Sequence, residues 1–163
     1  MNNYKIIDNF LDKKDFINIK NNMESYDFPY YLQKEINSNH DKNDLTCYFT
    51  HALFGQNSGF SNYFHIVQPL ITKLKAKALI RVKANIYLKT EKVQKNEAHI
   101  DYDFEHKGAI FSINTNNGGT ILDDNTKIDS IENRILFFDP SKKHSSTTTS
   151  NAKFRMNINI NYL

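Results

Sequence analysis

The chain has 163 residues, of which 39% are hydrophobic and 13% aromatic. It is therefore long enough for one packed domain, predicted over 1–163, and too apolar for wholesale disorder. A net charge of +3 is too small to indicate a specific nucleic-acid surface. The lone cysteine, Cys47, excludes an internal disulfide framework and a multi-cysteine zinc site. No apolar run reaches membrane-spanning length and the polar N-terminus does not read as a signal peptide, so we expect a soluble, cytoplasmic monomer without a membrane partner.

Residues 1–78 are predicted to form a mainly helical support region. A short strand is expected at 4–7. Asp12 belongs to the residue types that favour the N-cap position, and a helix is predicted over 13–23. Its apolar positions include Phe16, Ile17 and Ile19.

The rest of this region has a less regular pattern. Residues 26–57 alternate between aromatic and polar stretches without a clear period and are predicted to be irregular. Apolar residues at helical spacing predict a second helix over 60–75, which Pro69 either kinks or restarts.

From residue 79 onward the pattern is that of strands. Residues 79–88 carry apolar side chains at every second position. Asn, Asp, Gly and Pro clusters separate further strand candidates, which are 98–103, 109–114, 119–122, 134–138, 144–149 and 154–162. This spacing predicts an α+β, mainly β protein: a jelly-roll core over 79–163, with the N-terminal helices packed on one sheet.

The last predicted strand, 154–162, has two different faces. Its even positions are apolar and pack on a core. The other face carries Arg155, Asn157, Asn159 and Asn161. This polar face is either a solvated edge or the lining of a polar cavity in which Arg155 is the charged anchor.

Arginine is rare in this chain, since 18 of the 21 basic residues are lysines. An arginine here is more informative than usual, because its planar fork binds a carboxylate at two points. Arg81 and Arg134 are nevertheless also explained as ordinary surface residues.

His99 and Asp101 are two residues apart, so on a strand both point to the same face and form a natural chelating pair for a divalent metal. His144 adds a second imidazole. Two His and one Asp that leave one face of the metal open are typical of non-haem Fe(II) oxygenases. Arg155 follows on the next strand, where it could bind the distal carboxylate of a metal-bound dicarboxylate.

With these residues in place, the sequence from about 79 to 162 resembles the 2-oxoglutarate- and Fe(II)-dependent dioxygenases, particularly their prolyl 4-hydroxylase-like branch. The matching features are His99-Ile100-Asp101, Gly118-Gly119, the 134–140 segment leading to His144, and Arg155. The opening residues 6–11 resemble small bacterial and bacteriophage members more loosely.

The resemblance implies a double-stranded β-helix that binds Fe(II), with O2 and 2-oxoglutarate as cosubstrates and ascorbate as a supporting reductant. The implied metal ligands are His99, Asp101 and His144. The 5-carboxylate of 2-oxoglutarate would pair with Arg155, and the further candidates for cosubstrate binding are Tyr87 and Asn159. The implied reaction hydroxylates an unactivated C–H bond, first of all of a prolyl residue in a peptide or protein, with succinate and CO2 as co-products.

Two alternatives remain open: a hydroxylase of a small free amino acid, and a non-enzymatic β-sandwich that serves as a binding or structural module. The polar segment 90–97 corresponds to a loop that closes over peptide substrates in the resembling hydroxylases. Lys89, Lys92 and Lys95 would suit a substrate with acidic surroundings, or they are ordinary solvated lysines of a loop.

Other candidate ligands are less favoured. His106 and Asp103 could compete for the metal, but His106 lies in a predicted surface loop. His40, His51 and His65 are expected on the surface or in core packing, and Cys47 lacks a positioned base.

Overall fold

The computed structural model describes residues 4–34, 47–55 and 59–163. The helices are α1 (Lys13–Met23), a 3-10 helix (Phe64–Val67) and α2 (Gln68–Leu74). The strands are β1 (Lys5–Ile7), β2 (Tyr31–Gln33), β3 (Tyr48–Gly55), β4 (Gly59–Phe60), β5 (Leu79–Leu88), β6 (Lys107–Ser112), β7 (Gly119–Ile121), β8 (Lys127–Asp129), β9 (Ile135–Phe138), β10 (Ser145–Ser146) and β11 (Phe154–Tyr162).

The strands form two antiparallel sheets. The large sheet has the order β1-β9-β6-β11-β5-β3-β2, with β4 paired to β3, and the small sheet has the order β10-β7-β8. Strand β11 lies inside the large sheet, between β5 and β6. The mainly β class predicted from the sequence is confirmed, and the predicted bounds of α1, β5 and β11 agree with the structure.

One face of the large sheet packs against the helices. The shared core contains Phe16 and Ile19 of α1, Leu70 of α2, and Ile158 and Ile160 of β11, all of them buried. Burial of each large aliphatic side chain stabilises the fold by roughly 1.5–3 kcal/mol. The helices therefore cover one sheet, as the sequence predicts.

The opposite face of the large sheet meets the small sheet. A second, smaller apolar cluster joins the two sheets and contains Ile110, Leu122, Ile128, Leu136 and Phe138. Beside this cluster, the polar faces of β5 and β11 turn inward. Strand β11 has a hydrogen-bonded neighbour on each side, so it is not an edge strand. Arg155, Asn157 and Asn161 of its polar face are buried, and the face lines a cavity, which decides between the two alternatives left by the sequence.

The prediction of irregular structure over 26–57 agrees with the structure at 26–30 and is wrong for two other stretches of that segment. Tyr31–Gln33 is strand β2, and Tyr48–Gly55 is strand β3, which pairs with β5 along almost its whole length. A register shift between Ala52 and Phe54 breaks the alternation of β3. The strand is stabilised by non-local pairing, so local periodicity did not reveal it.

Three smaller differences concern the helices. Ile17 of α1 is 41% exposed and does not join the core. The second helical segment begins only at residue 64, and Pro69 lies in the first turn of α2, where it costs no hydrogen bond. Asp12 occupies the N-cap position, but its side chain makes no capping hydrogen bond.

The region 98–103 is not a strand, although the sequence predicts one. It contributes one isolated bridge, His99 with His144. Within 144–149 only Ser145–Ser146 is a strand, and β8 is an additional one that the sequence analysis missed. Within the described ranges, no helix has the length and apolar character that crossing a bilayer requires.

Candidate active site

A polar cavity lies between the two sheets and contains all six residues that the sequence singles out. Its empty space, part of it open to solvent, measures about 460 Å³. Three of these residues, His99, Asp101 and His144, form a cluster that could hold a metal ion. The other three, which also line the cavity, are Tyr87, Arg155 and Asn159.

The two histidines are brought together by the backbone. The amide of each donates to the carbonyl of the other, at 2.9 Å in both directions, and the Asp101 amide donates to the Pro140 carbonyl at 2.9 Å. As a result His99 Nε2 lies 3.8 Å from Asp101 Oδ1, and His144 Nε2 lies 4.0 Å from Asp101 Oδ2. The residue pair 99/101 and residue 144 thus converge without a regular strand at 98–103.

The cluster has the properties of a divalent metal site. One ligand atom from each residue lies within 4.8 Å of the others. His144 Nδ1 is 3.0 Å from the Lys142 carbonyl, which orients the ring, while its buried Nε2 has no hydrogen-bond partner. Burial, and then the neighbouring His144, lower the pKa of His99 to about 4. His99 is consequently neutral at pH 7, as a metal ligand must be.

Asp101 is held by three side chains of the large sheet. Arg81 donates to Oδ1 at 2.6 Å, and Asn161 donates to Oδ2 at 2.9 Å. Asn159 Nδ2 lies 3.4 Å from the same Oδ2. Burial acts to raise the pKa of Asp101, but Arg81, His144 and Asn161 together hold it well below its usual value. The carboxylate is therefore ionised and fixed in orientation.

Arg81 is thus not the ordinary surface residue that the sequence also allowed. It lies on β5, next to Asp101, and its guanidinium is 5.3 Å from the centre of the Tyr102 ring. Arg134 does form a surface pair, since its Nη2 donates to Asp8 Oδ2 at 2.9 Å.

Arg155 lies at the end of the cavity away from the cluster of His99, Asp101 and His144. It is only 1% exposed, so we call this end the closed end. Its Nη1 donates to the Thr147 carbonyl at 3.3 Å and its Nη2 to Thr120 Oγ1 at 3.2 Å, whereas Nε has no partner. No carboxylate of the described ranges forms an ion pair with it. A buried cation without a counter-charge is costly, so this end of the cavity is suited to a carboxylate ligand.

Tyr87 accompanies Arg155 at this end. The two residues face each other across β5 and β11, and the guanidinium lies 5.2 Å from the centre of the Tyr87 ring. Tyr48 of β3 stacks on Tyr87 with centroids 5.4 Å apart. Burial raises the pKa of Tyr87, so its hydroxyl stays protonated and can donate. Asn159 instead lies beside Asp101, at the end of the cavity that contains His99, Asp101 and His144, which we call the metal end.

The alternative ligands do not join the cluster. Asp103 is exposed. His106 is buried, so the prediction of a surface histidine is wrong. Its ring nitrogen Nδ1 lies 2.8 Å from the Phe104 carbonyl, and its Nε2 lies 3.2 Å from Asn161 Nδ2. His106 therefore contacts Asn161, the residue whose side chain donates to Asp101.

The remaining candidates lie away from the cavity. His51 is core packing, bonded to the Pro29 carbonyl and to Ser61 Oγ. His65 and Cys47 are exposed. His40 lies outside the described residues.

The segment 90–97 runs along the 144–149 segment. The Gln94 amide donates to Thr148 Oγ1 at 2.8 Å, and the Thr148 amide donates back to the Gln94 carbonyl at 2.9 Å. Asn96 donates from its backbone amide to the Ser146 carbonyl at 2.9 Å and from Nδ2 to Ser146 Oγ at 2.7 Å. This segment is therefore anchored at its centre, while the lysines at 89, 92 and 95 remain exposed.

Several cavity residues were missed by the sequence analysis. They are Tyr48, Arg81, Lys83, Asn85, Thr120 and Ser146. A signal for three of them was present on β5. Its even positions are apolar, and its odd positions carry Arg81, Lys83, Asn85 and Tyr87, a polar face that lines the cavity. Tyr48 lies in the segment predicted to be irregular.

No family model matches the sequence and no curated protein matches it. Solved structures do match in three dimensions. A prolyl hydroxylase from Trichoplax adhaerens, in complex with a hypoxia inducible factor oxygen degradation domain peptide, is 17% identical with a TM-score of 0.68, over 100% of this chain and 84% of that chain.

Two further structures have the same fold. A viral collagen prolyl hydroxylase from Paramecium Bursaria Chlorella virus-1, in complex with 2-oxoglutarate, is 13% identical with a TM-score of 0.61, over 99% of this chain and 97% of that chain. An oxidoreductase of the 2-oxoglutarate-Fe(II) oxygenase family from Burkholderia pseudomallei is 11% identical with a TM-score of 0.71, over 98% and 84%. These likenesses confirm the double-stranded β-helix predicted from the sequence.

Proposed function

We propose that this protein is an Fe(II)- and 2-oxoglutarate-dependent oxygenase that hydroxylates an unactivated C–H bond. The observation that carries the proposal is one cavity with two features. His99, Asp101 and His144 converge at its metal end, and Arg155 is buried at the other end without a carboxylate partner in the described residues. Solved oxygenases of the same fold support the same reaction class.

Fe(II) would be held by the imidazoles of His99 and His144 and the Asp101 carboxylate, leaving coordination positions for a bidentate ligand and O2. When bound, the metal and 2-oxoglutarate supply oxidative decarboxylation to succinate and CO2, coupled to oxygen insertion into a C–H bond. Arg155 binds the 5-carboxylate of 2-oxoglutarate, and the Tyr87 hydroxyl donates to the same group. Arg81 and Asn161 keep Asp101 ionised and fixed.

A prolyl residue of a peptide or protein is the first candidate substrate. It is supported by the prolyl hydroxylases among the structures of the same fold, one of them solved with a peptide. A small carboxylate-bearing substrate such as a free amino acid is the second candidate, because the cavity contains a further cation, Lys83, without an acidic partner among the described residues.

The direct test measures succinate formation from 2-oxoglutarate by the purified chain with Fe(II), ascorbate and O2, without a prime substrate. We expect slow turnover in the wild type and none in His144→Ala. His65→Ala is the matched control, since His65 is exposed and outside the cavity.

Two results would contradict the proposal. One is a wild type that binds neither Mn(II) nor 2-oxoglutarate by calorimetry, as expected of a non-enzymatic β-sandwich. The other is turnover that survives in His144→Ala. If turnover is found, proline-containing peptides and free amino acids are screened for a mass gain of one oxygen atom.

The monomeric state, cytoplasmic location, bacteriophage origin and ascorbate requirement stay predictions from the sequence.

A further inference from the structure

Lys83 is a second cation in the cavity, in addition to Arg155. It lies on β5 opposite Asn159 of β11, and its side chain lines the cavity. Nζ lies 5.6 Å from the centre of the Tyr48 ring. Among the described residues, Lys83 donates no hydrogen bond and forms no ion pair. A lysine turned into a cavity in this way is suited to binding an anion from outside the protein.

Asp101, the acidic residue that lines the same cavity as Lys83, is already occupied. Asp101 Oδ1 accepts from Arg81, and Oδ2 accepts from Asn161. Burial, and then the neighbouring Arg81, lower the pKa of Lys83 to about 8. Most of the ammonium is therefore still charged at pH 7, in surroundings that do not compensate it.

Lys83 and Arg155 enter the cavity from backbone positions that are well separated along the sheet. Arg155 pairs with Tyr87 across the strands, whereas Lys83 lies four residues from Tyr87 on β5, which is about 13 Å along a strand. The two sites also differ in access. Arg155 is 1% exposed, while the side chains of Arg81 and His99, at the end where Lys83 lies, are 24% and 23% exposed. The end of the cavity at which Lys83 lies is therefore more open to solvent than the end at which Arg155 lies.

The net charge of the cavity with the metal and 2-oxoglutarate bound also favours an anionic ligand. The metal contributes two positive charges, and Asp101 cancels one. The three cationic side chains, Arg81, Lys83 and Arg155, contribute three more, and 2-oxoglutarate removes two. An excess of two positive charges remains in a low-dielectric space, which favours an anionic second ligand.

We infer that Lys83 binds a carboxylate of the prime substrate, which places the hydroxylated C–H bond next to the metal cluster. This inference rests on the proposed oxygenase function. The carboxylate has two possible sources: the α-carboxylate of a free amino acid, or an acidic side chain beside the reacting residue of a peptide. Arg155 remains the site of the cosubstrate.

The experiment measures binding to the full chain loaded with Mn(II) and 2-oxoglutarate without O2, by calorimetry and thermal shift. The first probe set is the free L-amino acids, each compared with its amide. The second set is acetylated and amidated peptides, Asp-Pro-Gly compared with Asn-Pro-Gly and Glu-Pro-Gly compared with Gln-Pro-Gly. The set in which the acid is preferred identifies the source of the carboxylate.

In the wild type we expect at least one acid to bind about tenfold more tightly than its neutral counterpart. Lys83→Met keeps the aliphatic stem and should reduce that preference to less than about twofold. Lys83→Arg should retain it. Lys14→Met is the matched control, because Lys14 is exposed on α1, and it should leave both affinities unchanged.

Three outcomes overturn the inference. The first is that no acid in either set binds better than its neutral counterpart. The second is a preference that survives in Lys83→Met. The third is a Lys83→Met variant whose 2-oxoglutarate affinity falls more than about tenfold, since the lysine would then serve the cosubstrate. Failure of the wild type to bind Mn(II) and 2-oxoglutarate at the outset instead contradicts the proposed function.

Discussion

The two ends of the cavity each contain an arginine, and the two arginines have opposite surroundings. At the metal end, Arg81 is satisfied inside the protein by Asp101 at 2.6 Å. At the closed end, Arg155 is more deeply buried, yet it bonds only to neutral groups, the Thr147 carbonyl and the Thr120 hydroxyl. A buried charge pair can be part of the protein's own architecture, whereas a buried charge without a partner is costly unless a ligand completes it.

This difference assigns separate tasks to the two ends. Arg81 acts through another residue, because it orients Asp101, a candidate metal ligand, and keeps its carboxylate ionised. Arg155 is available to touch a ligand directly. Substitutions at the two positions should therefore affect different binding equilibria, and the following predictions test that separation.

The largest effect is expected from Arg155→Met. Loss of the guanidinium removes the charge partner of the 2-oxoglutarate 5-carboxylate, and removing one partner of a buried charge pair costs about 2–5 kcal/mol, or roughly 30-fold to several thousand-fold in affinity. Calorimetric titration of the Mn(II)-loaded protein with 2-oxoglutarate measures it, and Mn(II) affinity should change little. Arg134→Met removes a surface arginine as the control. Equal 2-oxoglutarate affinity in Arg155→Met and wild type would refute the assignment of Arg155.

The same variant should respond differently in stability. Without a dicarboxylate, Arg155→Met should unfold at the same or a higher denaturant concentration than the wild type, because it removes an uncompensated buried charge. A clear loss of stability would mean that the bonds to Thr147 and Thr120 hold the sheets together and that Arg155 is structural.

Arg81→Met should mainly weaken metal binding. Asp101 would lose the cation that keeps its pKa low and its carboxylate oriented, and loss of such a supporting group typically lowers metal affinity about 10-fold to 100-fold. Competition between Mn(II) and a chelator measures it. If Arg81→Met left Mn(II) affinity intact and weakened 2-oxoglutarate binding alone, the division between the two ends would be wrong.

Tyr87→Phe should have a smaller effect at the closed end. The ring keeps its contact with Arg155 at 5.2 Å, but the hydroxyl is lost, and one such hydrogen bond is worth about 0.5–1.5 kcal/mol, or about twofold to twelvefold in 2-oxoglutarate affinity. Tyr102→Phe provides a control at the metal end. An unchanged affinity in Tyr87→Phe would show that the hydroxyl does not donate to the cosubstrate.

The smallest effect is expected from the surface pair of Arg134 and Asp8. Arg134 holds the pKa of Asp8 below its usual value, so the pair stabilises the fold at neutral pH and that stabilisation is lost as the pH falls through the folded pKa of Asp8. Because the Asp8 side chain is half exposed, Asp8→Asn should lower the free energy of unfolding by less than about 1 kcal/mol at pH 7. Urea unfolding at pH 7 and pH 3 measures it, and the two proteins should differ less at pH 3.

The sequence predicted the parts of the fold that have a clear local period. Strands β5 and β11 alternate along their whole length, and α1 has an apolar stripe, so their bounds follow from pattern alone. Strand β3 was not predicted, because its register shift breaks the alternation and its stability comes from pairing with β5. The 98–103 segment was predicted as a strand because its composition suits one, but it has too few backbone partners.

In the candidate site, too, local spacing could be used for prediction and contacts between distant segments could not. The spacing of His99 and Asp101 and the rarity of arginine drew attention to residues that the structure does bring into one cavity. The roles of Arg81 and Lys83 could not be predicted in the same way. Which cation is paired with Asp101, and which one is left without an acid, depends on the distance between side chains that lie far apart along the chain.

The sequence by itself therefore determined the strand and helix periods and the mainly β class, because these depend on spacing along one segment, and it named the candidate metal ligands. Only the tertiary structure decided that the polar face of β11 is internal, that Arg155 is buried without a counter-charge and that Arg81 neutralises Asp101. Burial and charge pairing depend on which segments pack together, and for this chain those segments are joined by contacts between two sheets.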